Sequence, residues 1–331
     1  MDKKPVIPII LLNWNRWSDT IACLHSLFVS ENKNFCILIA DNNSTDDSKI
    51  HMINWMEKNQ KKIKLIEEGE VIDLLEPEFT YFIQLKANYG FAKANNLALA
   101  SIYDCNFEDA LLLNNDTEVS PDFLSKLINF KKKYPEYKAI TPLICYFSKK
   151  DEVWNAGGKS FFGFHRYYYA NQLVSKIKEK EKIDISFVTG CALFFHKSIT
   201  ENKKIFTERF FFGEEDFDFS LRMKKQRIKM ACAIQSIIFH KVSSSTSHLN
   251  LKNRIYLHYL NRFINIKLSS NIFAYLIWKH VYLTYIIVLL GRKGFTIKEI
   301  FTFICRLYIE SERYNEVNHD MFIKILETYK F

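Results

Sequence analysis

Paired cysteines, glycine-rich phosphate loops and a nucleic-acid-binding module are all missing from this chain, and each absence removes a class of function. The seven Cys, at 23, 36, 105, 145, 191, 232 and 305, contain no C-x-x-C pair. An odd count without disulfide or metal spacing implies reduced thiols and a cytosolic setting. No G-x-G-x-x-G or G-x-x-x-x-G-K-[ST] occurs, so dinucleotide-fold and P-loop readings lose their signatures. The apolar run Val6 to Leu12 is too short for a signal peptide and is cut by Trp14-Asn15-Arg16, so a first strand is expected there. No internal repeat is present. Acidic residues are absent from Phe219 to Lys298, which holds 14 Lys or Arg. In a chain of net charge +9 such a block asks for an anionic partner. Its interleaving with Tyr, Phe, Trp, Ile and Leu suits an anionic membrane surface better than a duplex, and no nucleic-acid partner is expected.

The residues that are present describe an α/β protein. At 331 residues and 48% apolar, the chain can hold one large domain and a smaller one. Apolar runs at Val6–Leu12, Phe35–Ala40, Thr80–Leu85 and Ala110–Leu113 alternate with helical spacing after Ser18, near Asp47–Met56, from Phe91 and after Ser120. That alternation predicts a three-layer α/β/α fold with a mostly parallel mixed sheet. Ser120, Pro121 and Asp122 read as N-cap, first helical residue and acidic first turn. Residues 60–79 read as a charged, irregular insertion, and Gly157-Gly158 as a flexible aromatic loop. Later strands are expected at Ala139–Tyr146, Ile185–Phe195 and Ala231–Phe239, with a helix over Phe217–Lys229. From Leu249 the pattern is helical, aromatic and basic, which sets a boundary near 250.

Polar clusters stand where strands should end, the edge at which open α/β sheets bind ligands. They are Asp41 to Asp46, Asn114-Asn115-Asp116 and His240; Glu214-Glu215-Asp216 precedes a helix. Asp116 either caps a turn or supplies the carboxylate a hard divalent cation takes, the rest of its shell coming from substrate phosphates. His240 caps its strand or adds an imidazole ligand if the ion is Mn²⁺. The three consecutive carboxylates offset a helix dipole, or carry a general base whose pKa apolar neighbours lift. Asp41 forms an Asx-turn or accepts from a base N–H or ribose hydroxyl. Trp154 offers an aromatic face to a sugar ring.

The stretches "IILLNWN" (9–15), "IADNNSTDDS" (39–48), "ANYGFAKANNLAL" (87–99), "LLLNNDTEVSPDFL" (111–124), "VTGCALFF" (188–195), "FFFGEEDFDFSLR" (210–222) and "IIFHKVSSS" (237–245), in this order, resemble the family 2 inverting glycosyltransferases of GT-A fold. The similarity is greatest to the rhamnosyltransferase-like branch that builds bacterial surface polysaccharides. The resemblance implies a catalytic region over 1–250, with a nucleotide-sugar half (1–118) and an acceptor half (119–250). It implies that Asn13, Asp41, Asn88, Asn95, Asn114 and Asn115 hold the nucleotide-sugar donor. Asp116 matches the last Asp of the family's metal-binding D-x-D, whose first position here is Asn114, and His240 matches a His that ligates the metal in some members. Mg²⁺ or Mn²⁺ is the implied cofactor. Asp216 matches the catalytic base, with Glu215 beside it, and Trp154 and Gly190 are expected on the acceptor side. A sugar nucleotidyltransferase would need an Arg- and Lys-bearing Gly-rich loop after the first strand, and "LLNWNRWSD" has none; a non-catalytic scaffold would not need every acidic position filled.

Residues 251–331 match no catalytic motif. Ile272–Leu290 is almost long enough to span a bilayer, but Lys279 and His280 lie at its centre. Helices lying on the membrane are expected, with Arg254, Arg262, Lys267, Arg292 and Lys293 toward anionic lipid. A lipid-linked glycan acceptor and a peripheral position on the inner face of the cytoplasmic membrane follow as expectations. Nothing in the sequence fixes an oligomeric state.

Overall fold

A computed structural model describes residues 5–242 and 250–329; Ser243, Ser244 and Ser245 of the last matching stretch lie outside the described residues. The first half is a parallel sheet: β1 (Ile7–Asn13), β2 (Phe35–Asp41), β3 (Ile63–Glu67), β4 (Thr80–Gln84) and β5 (Asp109–Asn114), ordered β3-β4-β2-β1-β5. Its crossovers carry α1 (Trp17–Phe28), α2 (Ser48–Lys58) and α3 (Gly90–Ser101). Strand alternation divides the core. Ile9, Leu11, Ile37 and Ile39 face α1 and α2, while Ile10 and Leu38 face α3.

The second half adds β6 (Thr117–Val119), α4 (Phe123–Lys133), β7 (Tyr137–Tyr146), β8 (Glu152–Asn155), β9 (Gly158–Phe161), β10 (Phe164–Tyr167), β11 (Gln172–Leu173), β12 (Lys182–Ile185), β13 (Ala192–His196), α5 (Glu215–Lys225) and β14 (Lys229–His240). β13 runs antiparallel to β5 and β7, which makes the sheet mixed, and β14 runs parallel to β7. The expected three-layer α/β/α class with a mostly parallel mixed sheet is therefore the observed one.

Several local expectations are corrected. The charged stretch 60–79 contains β3, an edge strand hidden because its side chains are mostly exposed. The Gly157-Gly158 loop is instead a β9–β10 hairpin. The fourth helix starts at Phe123 and not at Pro121, and Asp122 takes the N-cap place expected of Ser120, because Ser120 is drawn to β14: its N–H and Oγ both donate to the Ile237 carbonyl. The fifth begins two residues earlier than expected, at Glu215.

The tail forms α6 (Leu251–Ser269), α7 (Ile272–Arg292), α8 (Ile297–Arg313) and α9 (His319–Thr328). It shares a core with the α/β region: Phe187, Phe210 and Phe217 pack with Tyr256, Phe263, Trp278 and Tyr282. Among the described residues α7 is the one helix long and apolar enough to cross a membrane. Lys279 at its centre is buried, ion-paired to Glu312 and 3.5 Å over the Tyr308 ring. Two expected lipid-facing cations are otherwise engaged. Arg262 is 2% exposed and pairs with Glu214, and Lys267 donates to the carbonyls of Ser311 (2.6 Å) and Tyr314 (2.7 Å) at the end of α8. Arg292 and Lys293 are exposed and Arg254 is half-buried.

Candidate active site

The register of β1 on β2 puts Asn13 beside Asp41 at the carboxyl ends of adjacent strands. Asn13 Nδ2 donates to Asp41 Oδ1 (2.8 Å), and the carboxylate also accepts from the Ser44 N–H (3.0 Å), Ser44 Oγ (2.7 Å) and Gln84 Nε2 (3.1 Å). Thr20 Oγ1 donates to Asn13 Oδ1 (2.7 Å), and Asn115 Nδ2 donates to Thr20 Oγ1 (2.8 Å). One polar network thus fixes the loops after β1, β2 and β5, as a fully satisfied buried network does.

A cavity of about 380 Å³ opens beside these loops, lined on its polar side by Asn42, Asn88, Asn114, Asn115 and Asp116. Of the six residues expected to hold a nucleotide, Asn88, Asn114 and Asn115 line it. Asn13, Asp41 and Asn95 are buried behind the wall, where Asn95 Nδ2 donates to the Phe91 carbonyl (2.9 Å). Asn42, which sequence reasoning passed over, braces the rim: its Nδ2 donates to Asn88 Oδ1 (2.8 Å) and its Oδ1 accepts from the Tyr89 N–H (2.9 Å). Gly90 follows at φ +75°, and a Cβ there would stand 2.0 Å from the Phe211 carbonyl oxygen, so only glycine fits. A larger groove of about 630 Å³ lies at the amino ends of β1 and β5, the wrong edge of a parallel sheet for a ligand.

Asp116 occupies the turn between β5 and β6, and His240 ends β14; Thr117 pairs with His240 across that ladder. His240 Nε2 lies 3.1 Å from Asp116 Oδ1. Burial opposes the charged imidazole, yet Cys191 and Asp116 outweigh it and push the His240 pKa up to about 10. No group of three or more His, Cys, Asp or Glu suited to a metal occurs among the described residues. One carboxylate and one imidazole nitrogen converging at the cavity's edge nonetheless fit an Mg²⁺ or Mn²⁺ ion that takes its remaining ligands from phosphate and water. The Trp154 ring stands 4.6 Å from that of His240.

Glu214, Glu215 and Asp216 divide between two environments. Glu214, at φ 72°, turns inward, where its Oε1 accepts from Arg262 Nε (2.7 Å) and Asn265 Nδ2 (2.9 Å). The guanidinium lies 3.5 Å over the Phe217 ring and also donates to the Gly163 carbonyl. Glu215 and Asp216, in the first turn of α5, are only half-buried. Desolvation, reinforced by the Asp216 charge, raises the Glu215 pKa to about 8. The Asp216 carboxyl is raised by burial against the opposing pull of Arg262 and of backbone N–H groups at Phe217 and Gly190. Gly190 thus supports Asp216 while its neighbour Cys191 sits against His240, so two adjacent residues join the Asp116–His240 pair to the carboxylates. A Cβ at Gly190 would meet the Phe91 ring at 3.3 Å and Glu215 Oε1 at 3.9 Å. Arg262 was visible in the sequence only as a charge; its partner lies 48 residues away, beyond any local pattern.

Comparison with known proteins agrees with this geometry. The model "Glycosyl transferase family 2" matches residues 9–202, and "Glycosyl transferase family group 2" matches 111–309. No curated protein matches the sequence. GalNAc-T7, in a structure with UDP, GalNAc and Mn²⁺, superposes with a TM-score of 0.57 at 12% identity over 81% of this chain and 48% of its own. The mannosyltransferase PcManGT of Pyrobaculum calidifontis, with GDP-Man and Mn²⁺, gives 0.53 at 12% identity over 95% and 88%. S. aureus TarS 1-349 with UDP gives 0.50 at 13% identity over 79% and 65%. The chain thus spans about half of the GalNAc-T7 structure and about two thirds of the TarS one. The shared architecture is GT-A. Over more than half of its length, and with its polar pocket and carboxylate pair on the sheet edge that this architecture uses, the chain belongs to glycosyl transferase family 2.

Proposed function

We propose that this glycosyltransferase is metal-dependent and inverting, and moves a sugar from a nucleotide-diphosphate donor, dTDP-rhamnose or a UDP-hexose, to a growing lipid-linked bacterial surface glycan. The observation that carries the reading is an amide-lined cavity bearing Asp116, with His240 Nε2 3.1 Å from that carboxylate, next to two half-buried carboxylates joined to the pair through Gly190 and Cys191. The nucleotide and Mn²⁺ complexes of GalNAc-T7 and PcManGT support the donor class and the metal.

Asn88, Asn114 and Asn115 bind the donor, while Asn13, Asp41 and Asn95 hold the walls in shape. Asp116 and His240 would hold the ion, which would supply positive charge to offset that of the leaving diphosphate. Asp216, positioned by the Gly190 N–H and flanked by Glu215, accepts the proton of the acceptor hydroxyl. That oxygen bonds to the anomeric carbon from the face opposite the diphosphate, and the carbon–oxygen bond to phosphate breaks with its electron pair. One displacement inverts the configuration. Trp154 borders the acceptor side, and the exposed apolar side chains of α7 and α8 suit a lipid-linked acceptor at the inner face of the cytoplasmic membrane.

The test is thermal stability against UDP, dTDP, GDP and CMP and their sugar conjugates, with and without Mn²⁺, on the native protein and Asp116→Ala. A ligand at a hundredfold excess over its Kd stabilises by about 2.7 kcal/mol. A metal-dependent shift for one nucleotide, lost in the variant, is expected; no shift with any nucleotide would leave a non-catalytic scaffold.

A further inference from the structure

The cavity that carries Asn88, Asn114 and Asp116 has a second wall that comes from the tail. Phe322, Ile323 and Leu326 of α9 line it, together with Phe211 and Phe212. The Phe322 ring packs on Phe211 at 4.9 Å and on Phe212 at 6.0 Å. α9 is held there by the backbone: the Phe211 N–H donates to the Val317 carbonyl (2.8 Å), and the Val317 N–H donates to the Arg209 carbonyl (2.8 Å). Asn318 then caps the helix, accepting from the Met321 N–H (3.0 Å). The same strand-like segment runs on through Gly213 into Glu214, so the tail is fastened to the chain that presents the carboxylates.

Phe322, Ile323 and Leu326 remain partly exposed across a cavity of about 380 Å³, instead of closing onto the asparagines opposite. The cavity therefore has an apolar, aromatic wall supplied by the tail and, away from it, the asparagines ending at Asp116 together with Leu12, Trp14, Arg16 and Phe91. A nucleoside diphosphate has the same division, a flat ring at one end and a charged diphosphate at the other. The sugar and acceptor must lie against Glu215 and Asp216, and neither lines this cavity. We propose, resting on the donor reading above, that α9 is part of the donor site and that Phe322, Ile323 and Leu326, with Phe211 and Phe212, form the wall against which the nucleobase packs. The tail is then a donor-binding element as well as a surface one, and α9 sets donor affinity while standing apart from the reacting atoms.

Calorimetric titration of the full-length protein with UDP, dTDP and GDP in the presence of Mn²⁺ tests this. Stacking on an aromatic ring is worth roughly 10- to 100-fold in affinity. Phe322→Ala and the double variant Ile323→Ala/Leu326→Ala are expected to raise Kd for the bound nucleotide by about that factor at a temperature where the ligand-free variants are fully folded. Phe322→Tyr should restore it, and Lys324→Ala, on the exposed side of α9, should bind as the native protein does. Tryptic cleavage after Lys324 in the native protein supplies a second readout that needs no variant to fold: nucleotide with Mn²⁺ is expected to slow it. If the native protein binds a nucleotide, yet the variants bind equally or Lys324 is cleaved at an unchanged rate, the α9 wall is overturned while the donor reading stands. If the native protein binds none of the three, the donor reading itself fails.

Discussion

Asp216 and Glu215 begin the same helix, yet their surroundings give them different work. Asp216 receives backbone N–H groups and feels Arg262, whereas Glu215 has the Asp216 charge beside it. Asp216→Asn keeps size and shape but cannot accept a proton. Turnover is expected to fall by roughly 10²–10⁴ while the Kd for donor nucleotide stays within about twofold of the native value. Loss of donor binding in that variant would reassign the residue. The two carboxyls titrate as a pair, so pH profiles report the pair and not either residue. A base must be ionised, and burial raises the Asp216 carboxyl, so the rate should climb as pH rises through the titration of the pair, in which Glu215 is raised to about 8. Stability runs the other way. A carboxyl whose pKa is raised on folding favours the fold while protonated, a contribution complete below pH 4.5 and lost as pH rises through 8. The melting midpoint should therefore fall over that window, and Glu215→Gln should flatten the slope; an unchanged slope would place the raised pKa elsewhere.

Among the elements, those with strong periodicity were legible and those defined by distant partners were not. β1, β2, β4 and β5 follow from apolar runs that must be buried on both faces. β3 escaped because an edge strand exposes Lys64, Leu65 and Glu67 and carries little apolar signal. Site residues at strand ends were legible because a parallel sheet collects them at one edge; the register of Asn13 on Asp41 enforces it. Arg262 and Lys267 read as lipid-facing because charge carries no address. Arg262 belongs instead to an interior pair that couples α6 to the start of α5. Removing one partner of a buried pair leaves the other charge uncompensated, which costs about 3–5 kcal/mol. Arg262→Leu should lower stability by that amount in a urea melt, and adding Glu214→Leu should recover much of it. Equal melts for native and single variant would mean that the pair contributes nothing to holding the tail.

For the whole molecule, the apolar surface left outside the shared core decides how the tail meets its surroundings. On α7, Ile272, Phe273, Ile277, Val281 and Val288 are exposed, Phe273 by 77%; on α8, Ile297 is exposed by 88%, and Phe301 and Ile309 further along the helix are exposed too. α7 also holds the tip of the β9–β10 hairpin, since Trp278 Nε1 donates to the Phe162 carbonyl (3.0 Å) and Phe161 is exposed. With Arg262 and Lys267 turned inward, the cations of the expected set left for lipid are Arg292 and Lys293, both exposed, and Arg254, half-buried, each worth about 1 kcal/mol near an anionic surface. Three such contacts are screened by salt, whereas apolar insertion is not. Detergent-free flotation should thus carry the protein up with anionic liposomes at low salt and retain part of it at high salt. Phe273→Asp/Ile277→Asp should abolish the salt-resistant part, and Arg292→Glu/Lys293→Glu the salt-sensitive part. A native protein that stays at the bottom of the gradient at low salt would end the membrane reading, and the exposed faces of α7 and α8 would then call for a protein partner.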